Sequence, residues 1–320
     1  MAPLHFGSAL QADTLTSYDT AAVTGTAPIT TTSFSQYATG TWAGVPEVVV
    51  TGNDFPEVAG IGPALLRLTS DSMAMNSYGS TYVGNVLVDG GRLDMNQGMT
   101  IQGDLSVVGA NAILNIQNEV VQLDVRGNVL FDGADSRTHL AYGSLTVGGD
   151  FTQNATYSKS SFAPSAFTTT FDGAQKQTVK FASTDTVNGS WFSGVYITNV
   201  SGSPVLFAGD SVAARNSVSI ATGTATSSSW LAVDAASKLI AQGNGNVSLG
   251  SYGHLTVDGG WDVAACYVAD STVVVDGANG AAKSQCQLGA PPIGATLGTT
   301  RVAPRAPRAM ATPTATPKRN

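Results

Sequence analysis

The sequence predicts an all-β protein built as a parallel, right-handed β-helix, or solenoid, with irregular coils. Three observations support this class. Charged residues make up only 12% of the chain, whereas glycine occurs 36 times. Short runs rich in Val, Ile, Leu and Thr alternate with Gly, Asn and Asp turns, a pattern typical of strands. Strands that begin with glycine recur with a loose period of roughly 20 residues, which indicates stacked coils.

The N-terminal part of the chain is weakly patterned. Residues 1–45 are rich in Thr, Ser and Ala, and we expect an irregular segment or a cap there. The first strong strand pattern is "PEVVVTG" at residues 46–52. The solenoid is therefore predicted to cover residues 46–289.

The repeat becomes clearer from Gly84 onward. The strand starts "GNVLV", "GDLSV", "GNVLF" and "GSLTV" begin at Gly84, Gly103, Gly127 and Gly143. A turn of the form apolar-Asp-Gly-small recurs after these and later strands. A single short coil cannot bury its apolar residues, but stacked coils form one continuous core. A β-sandwich or jelly roll is the alternative, because it also has short strands between frequent turns.

Two segments that lie far apart in the chain share one pattern. "AYGSLTVGGDF" starts at Ala141 and "SYGHLTVDGGW" starts at Ser251. Side chains alternate between the two faces of a strand. We therefore expect the Leu and Val of each "LTV" to point inward and the central Thr to point outward. The predicted inward residues are Leu145, Val147, Leu255 and Val257, and the predicted outward residues are Thr146 and Thr256.

The charge distribution limits the partners. Residues 290–320 are rich in Pro, Ala and Arg, with five basic residues and no acid, and are predicted to be a disordered tail. The rest of the chain has 10 basic and 22 acidic residues, a net charge of −12. An acidic body argues against nucleic acid as a partner. No apolar run approaches the length of a membrane span. No secretory signal is visible, so an extracellular location would need a signal outside this chain.

The two cysteines, Cys266 and Cys286, are separated by one coil of the inferred period. Equivalent positions on neighbouring coils are about 4.8 Å apart. That distance is within the range of Cα separations that a disulfide accepts. In an oxidising compartment the pair would bridge the last two coils. Two independent buried thiols are an equally open alternative, because corner insertions shift the register.

One region resembles a known type of repeat. "GNVLFDGADSRTHLAYGSLTVGGDFTQ" leads to "SFAPSAFTTTFDGAQKQTVKFAS" and then to "SWFSGVYITN", within residues 127–199. This resembles a glycine-rich, adhesin-like repeat module of large bacterial cell-surface or secreted proteins, often found beside immunoglobulin-like domains. The resemblance implies a parallel β-helix, an extracellular or cell-surface location, and a structural or adhesive role. Its implied partners are a surface glycan or other subunits of a surface assembly.

The sequence predicts no catalytic residues, no cofactor and no metal site, apart from a weak suggestion of Ca²⁺. Acidic residues flank several turns, as listed: Asp132, Asp135, Asp150, Asp258 and Asp262. A pair of them on adjacent coils could form a hydrolase pair or a Ca²⁺ site. However, Asp beside Gly is most often a turn former, and no Asp-x-Asp-x-Asp-Gly spacing occurs. The three histidines, His5, His139 and His254, match no catalytic or metal motif.

Five aromatic residues are candidates for stacking against a glycan, as listed: Tyr142, Trp191, Trp230, Tyr252 and Trp261. Packing in the core or at corners is the alternative for each of them. The sequence therefore predicts a non-catalytic extracellular solenoid that displays polar faces to a glycan, a surface or a subunit. The alternative is a polysaccharide lyase or glycoside hydrolase on the same scaffold. Close carboxylates with an Arg or Lys in a cleft would favour the enzyme, and a smooth Ser/Thr/Asn face would favour adhesion.

Overall fold

The computed structural model describes residues 4–18, 22–37, 41–52, 60–71, 73–75, 80–185 and 187–288. In these ranges the chain is a β-solenoid whose strands pair in parallel with strands one coil away. The predicted fold class is confirmed. A sandwich or jelly roll would require antiparallel sheets. The predicted tail, residues 290–320, lies outside the described residues.

The strands are short and follow one another with tight corners. In the first third of the chain they are β1 (Leu4–Phe6), β2 (Leu10–Tyr18), β3 (Ala22–Gly25), β4 (Ile29–Tyr37), β5 (Thr41–Ala43), β6 (Glu47–Val50), β7 (Gly60–Leu68), β8 (Met73–Met75), β9 (Ser80–Asp89), β10 (Arg92–Met95) and β11 (Met99–Ile101). The longer ones, such as β9, bend round a corner and pair in two sheets.

The remaining strands continue the same path. They are β12 (Leu105–Val108), β13 (Ile113–Asn115), β14 (Gln122–Val125), β15 (Val129–Asp132), β16 (Ser144–Val147), β17 (Phe151–Gln153), β18 (Thr168–Phe171), β19 (Gln177–Phe181), β20 (Phe192–Ile197), β21 (Val205–Ala208), β22 (Val212–Ile220), β23 (Trp230–Val233), β24 (Lys238–Leu249), β25 (His254–Val257), β26 (Gly260–Val268) and β27 (Val274–Asp276). One helix, α1 (Gly280–Gln285), follows them.

Three sheets form the sides of the solenoid. Sheet I contains β12, β15, β17, β19, β21, β23, β25 and β27, preceded by segments of β2, β4, β6, β7 and β9. Sheet II contains β11, β14, β16, β18, β20, β22, β24 and β26. Sheet III contains β8, β10 and β13. Strands β1, β3 and β5 pair with one another and not with this sheet, and each directly precedes a sheet I strand, as the sheet II strands do later in the chain. One coil thus passes from sheet I through sheet III to sheet II.

The core is a set of columns that run along the solenoid axis. Leu145, Val147, Leu255 and Val257 are fully buried, while Thr146 is half-buried on the opposite face of its strand. This confirms the predicted inward and outward alternation. Each inward residue stacks on an inward residue one coil away, so every coil shields the apolar surface of its neighbours.

Phenylalanine fills the core where the coils are largest. The chain between Phe151 and its partner Val179 is clearly longer than the chain between Val86 and its partner Leu105. The longer coil contains a buried segment between β17 and β18 that brings Phe162 into the core. Its ring lies 4.8 Å from that of Phe131 and 5.5 Å from that of Phe192, between ring centroids. Tilted and edge-on aromatic contacts of this kind stabilise packing beyond simple burial.

The corner between sheets II and I is built from glycine and an Asn/Asp ladder. A Cβ on Gly127 would lie 2.6 Å from the carbonyl oxygen of Gly103 one coil away, so the stacked corners leave no room for a side chain. The next position carries a polar side chain that accepts a hydrogen bond from the backbone N–H one coil further on. The acceptors are Asn85, Asp104, Asn128 and Asp150.

The N-terminal part of the chain differs from the expected irregular segment or cap. Strands β1, β3 and β5 pair in parallel with one another, and β2 and β4 pair in parallel over most of their length. The inward positions are apolar, with Ile29 and Phe34 fully buried. The Thr- and Ser-rich composition reflects the outward positions of these strands, where small polar residues with good strand propensity suffice.

The two "LTV" segments lie on different sides of the solenoid. Ser144–Val147 is β16 of sheet II, whereas His254–Val257 is β25 of sheet I. Both segments place Leu and Val inward and then turn at glycine. The repeated sequence therefore encodes a strand and a corner, and not one fixed position in the coil.

The C-terminal end of the described solenoid is closed by α1. Asn279 caps the helix by accepting hydrogen bonds from the N–H groups of Ala281 and Ala282. The Gln285 side chain donates to the backbone carbonyls of Val263 and Ala264, on the open edge of β26. Cys266 and Cys286, both buried, form a disulfide with a Cα–Cα distance of 5.0 Å. These contacts cover an edge that would otherwise be free to pair with another strand.

Candidate functional site

The acidic residues that the sequence singled out have structural partners. Asp132 and Asp258 accept backbone N–H hydrogen bonds from the next coil, as Asp150 does in the corner ladder. Asp135 pairs with Arg137, and Asp262 pairs with Lys238. These carboxylates hold coils and corners in place. The structure does not bring them together as a pair.

The five aromatic candidates do not form one strip. Trp191 is buried, with only 2% of its surface exposed, and its indole N–H donates to the carbonyl of Pro164. The guanidinium of Arg215 lies 3.5 Å from the centre of the Trp191 ring. Tyr142 and Tyr252 are exposed at corners next to glycine. Trp191 is therefore corrected from a glycan-stacking candidate to a packing residue, because its ring is buried and has the Arg215 guanidinium over it.

The two remaining tryptophans are half-buried and hydrogen-bonded. Trp230 stacks on His254 with ring centroids 4.6 Å apart, and its N–H donates to Thr256. Trp261 donates to Gln285 of the C-terminal cap. Trp230 lies on sheet I and Trp261 lies at the cap, so they do not share a surface.

The outer face of sheet II is the most uniform surface of the solenoid. Its outward side chains form two columns along the axis, which together we call the sheet II face. The first column is Thr100, Asp124, Thr146, Thr170, Tyr196, Ser219, Ser248 and Tyr267. The second column is Gln122, Ser144, Thr168, Gly194, Ser217, Asn246 and Ala265. Hydroxyl groups predominate in the first column, whereas the second column mixes Ser and Thr with Gln, Asn, Gly and Ala.

An open groove of about 580 Å³ lies on this face between β14 and β20. It is lined by Ser and Thr side chains of both columns, by Tyr196 at one end, and by an acidic pair with one arginine. Arg126 Nη2 donates to Asp124 Oδ2, and Arg126 Nη1 lies 3.3 Å from Asp172 Oδ2. One guanidinium thus holds two carboxylates that come from different coils.

Glycine makes this arrangement possible. The residue that directly follows each strand is Arg126 after β14, Gly148 after β16 and Asp172 after β18. These three residues therefore occupy the same position on successive coils. Gly148 has no side chain, and the guanidinium of Arg126 reaches across that coil to Asp172. The second oxygens of the pair, Asp124 Oδ1 and Asp172 Oδ1, are buried without a hydrogen-bond partner among the described residues.

The electrostatics of the groove centre on Asp172. Burial raises the pKa of Asp172 above its ordinary value of 3.8, and the charge of Asp124 acts in the same direction. The Arg126 guanidinium opposes this rise in the pKa. A carboxyl group whose pKa is raised beside a second carboxylate is the arrangement from which a general acid can be built.

Beyond the groove the sheet II face is uncharged. Tyr196 and Tyr267 belong to the same column, separated by Ser219 and Ser248 on the two intervening strands. Their side chains are 41% and 46% exposed. Three strand spacings of about 4.8 Å place them about 14 Å apart along the axis. The hydroxyl of Ser248 donates to that of Ser219 midway between the rings.

Sequence reasoning missed Asp124, Arg126, Asp172, Tyr196 and Tyr267. Asp124 lies far from Asp172 in the chain, as Tyr196 does from Tyr267, and the coils between them are of unequal length. Only the strand register brings these residues into line. The sequence offered one signal for these residues. Each lies within a strand at an outward position, or directly after a strand, and next to a Val, Ile or Phe that packs in or against the core.

Among the residues that the structure describes, no group of three or more His, Cys, Asp or Glu side chains is placed to hold a metal ion. The three histidines lie apart, with His5 against Thr24, His139 against Asn115 and His254 against Asp276. No helix in the described part of the chain is long and apolar enough to cross a membrane.

Comparisons with protein-family models, with curated proteins and with solved structures found no match to this chain. The candidate site is therefore defined by its own geometry: a hydroxyl-rich face with an acidic groove at one end and two exposed tyrosines toward the other.

Proposed function

We propose that this protein is a non-catalytic, extracellular structural or adhesive solenoid of a bacterial surface, and that the sheet II face is its binding surface. The observation that supports this best is the continuity of that face, where Ser, Thr, Asn and Tyr side chains line up over successive coils. A ladder of parallel strands fixes these groups at regular spacing. Preorganised donors and acceptors bind an extended partner without a large ordering cost.

One further feature supports an extracellular setting, and another limits the class of partner. The disulfide between Cys266 and Cys286 is of a kind that persists in oxidising compartments. The low content of charged residues and the acidic net charge favour partners other than nucleic acid. The bacterial surface itself is proposed from the resemblance of residues 127–199 to surface repeat modules.

The proposal is tested by binding of the full chain to an array of neutral and anionic glycans and to whole bacterial cells. The matched variants replace outward residues of sheet II, Thr146→Lys with Thr170→Lys, and outward residues of sheet I, Thr152→Lys with Leu206→Lys. Binding should be lost in the sheet II variant and retained in the sheet I variant. Equal binding by both variants would contradict the assignment of this face, and no binding to any glycan or cell would contradict the adhesive function.

A second candidate is a polysaccharide hydrolase or lyase. The specific observation in its favour is the groove, where Asp124 and Asp172 share Arg126 and the pKa of Asp172 is raised. Release of reducing or unsaturated ends from a polysaccharide panel, abolished in Asp172→Asn but retained in Asp135→Asn, would favour the enzyme. We expect no release, because one guanidinium already engages both carboxylates.

A further inference from the structure

We propose that Tyr196 and Tyr267 are the two stacking platforms of one linear glycan site, and that its ligand is a neutral, extended polysaccharide lying along the solenoid axis. This deepens the proposed function, on which it rests. Both rings project from the first column of the sheet II face, one on β20 and one on β26. Each keeps nearly half of its surface exposed.

The position of the rings is the first argument. Tyrosine combines an apolar ring with a polar hydroxyl group and is enriched where proteins contact their partners. Other exposed tyrosines of the described chain, Tyr142, Tyr157 and Tyr252, lie outside the named strands. Tyr196 and Tyr267 instead share one column of sheet II, so a single extended polymer that lies along this column can contact both rings.

The chemistry between the rings is the second argument. Ser219 and Ser248 lie directly between them in the first column, and Ser217 and Asn246 lie beside them in the second. These side chains offer hydroxyl and amide groups that both donate and accept hydrogen bonds, as sugar hydroxyls do. A pyranose ring with equatorial substituents presents a flat C–H face, which packs on a tyrosine ring while its hydroxyls reach the serines.

The charge is the third argument and decides the class of polymer. Over the four strands of sheet II from β20 to β26, neither column of the sheet II face contains a charged residue. The chain as a whole carries a net charge of −7. An anionic polysaccharide would find no cation in these columns and would be repelled at longer range. A neutral polymer meets neither obstacle.

The test uses the full chain and four insoluble neutral polymers: cellulose, xylan, mannan and chitin. We expect retention on at least one of them and none on polygalacturonate. Tyr196→Ala and Tyr267→Ala should each weaken binding about tenfold, and the double variant should fall to background. Tyr157→Ala, which removes an equally exposed ring outside sheet II, should bind as the wild type does. Thermal unfolding of each variant verifies that the fold is kept.

Ligand length provides an independent readout. For the polymer that binds, a hexasaccharide can reach both rings and a disaccharide can reach only one. The hexasaccharide should therefore bind more tightly than the disaccharide to the wild type, and this advantage should disappear in either single variant. Binding of both lengths with the same affinity would overturn the two-platform site.

The remaining outcomes are also decisive. Retention of the double variant at wild-type strength would overturn the inference but leave the adhesive function in place. Binding of the wild type to cells or to anionic glycans alone would do the same. A wild-type dimer that becomes monomeric in the double variant, seen by sedimentation and without glycan binding, would overturn the glycan site by showing that a second copy covers the rings. Absence of binding to every glycan and cell would remove the proposed function as well.

Discussion

Arg126 Nη1 lies 3.3 Å from Asp172 Oδ2, although the two residues are 46 positions apart in the chain. The contact spans two coils and crosses the position of Gly148. The same guanidinium also binds Asp124, so the groove holds two carboxylates for one cation. The partial exposure of all three side chains keeps the contribution of these ion pairs to stability small. Their consequence is chemical: Arg126 opposes the rise in the pKa of Asp172 that burial and the charge of Asp124 cause.

The first prediction concerns the pKa of Asp172. In Arg126→Gln this pKa should rise further above 3.8, because the one cation that opposes burial and the charge of Asp124 is removed. Carboxyl ¹³C NMR titration measures it, and Asp172→Asn assigns the resonance. Arg137→Gln, which alters the ion pair with Asp135, is the control and should leave the Asp172 titration unchanged. A lower pKa in Arg126→Gln would contradict the prediction.

The second prediction is the effect of Asp172 on stability against pH. Its folded-state pKa is raised, so the unfolded chain loses the proton first as the pH increases. The free energy of unfolding that Asp172 contributes should therefore be largest below pH 3.8, fall as the pH rises through the folded-state pKa, and stay constant above it. Urea unfolding of wild type and Asp172→Asn across this range isolates the contribution as their difference. If the contribution of Asp172 to the free energy of unfolding increased with pH, the effect would have the opposite sign and the prediction would be wrong.

The third prediction concerns Thr169. It points inward in sheet II between Leu145 and Val195, is fully buried, and its hydroxyl has no hydrogen-bond partner among the described residues. Replacing Thr169 with Val keeps the shape and removes the unpaired hydroxyl, so the free energy of unfolding should increase by about 1 kcal/mol. Chemical denaturation measures it. Thr146→Val on the outer face should change stability by less than about 0.5 kcal/mol. Destabilisation by Thr169→Val would indicate an unseen partner for the hydroxyl.

The fourth prediction concerns the disulfide. Unfolded, unreduced protein should show no free thiol, because Cys266 and Cys286 are bonded. Reduction, or replacement of both by Ala, should lower the free energy of unfolding by about 3 kcal/mol, the loop-closure value for a bridge of this span. Two titratable thiols per chain would contradict the bond and remove the support it gives to an oxidising location.

The fifth prediction concerns the C-terminal cap. Gln285→Ala removes the side chain that donates to the carbonyls of Val263 and Ala264 and accepts from the Trp261 N–H. The edge of β26 should then become available for pairing with other chains. Amide hydrogen exchange in β26 should speed up, and light scattering should show concentration-dependent association. Ser284→Ala, on the same helix, should show neither effect.

Several features of the fold were accessible from the sequence for a clear physical reason. Strand alternation at Leu145, Thr146 and Val147 depends only on the geometry of one strand, and the stacked-coil class follows from the spacing of such strands. The distance between Cys266 and Cys286 also followed from one coil period, because no large insertion separates them. Local rules therefore sufficed wherever the relevant contact was one coil away.

The candidate site required the register of several coils. Asp124 and Asp172 meet at Arg126 only because β14, β16 and β18 align and Gly148 leaves the intervening coil open. Tyr196 and Tyr267 share a column only because the strands between them pair in a register that keeps the same alternation of inward and outward residues. This register holds although the loops of these coils differ in length. An error of one residue in any coil would turn a side chain from the surface to the core.

The sequence by itself thus determined that the chain is β-rich, that its strands stack in parallel coils, and which residues of the two "LTV" strands face inward. Only the tertiary structure decided which of the three sheets each strand joins. The "LTV" of Ser144–Val147 falls in sheet II and that of His254–Val257 in sheet I, because a strand followed by a glycine corner fits more than one side of the coil. Corner insertions fix the choice, and their lengths follow no period that the sequence alone reveals.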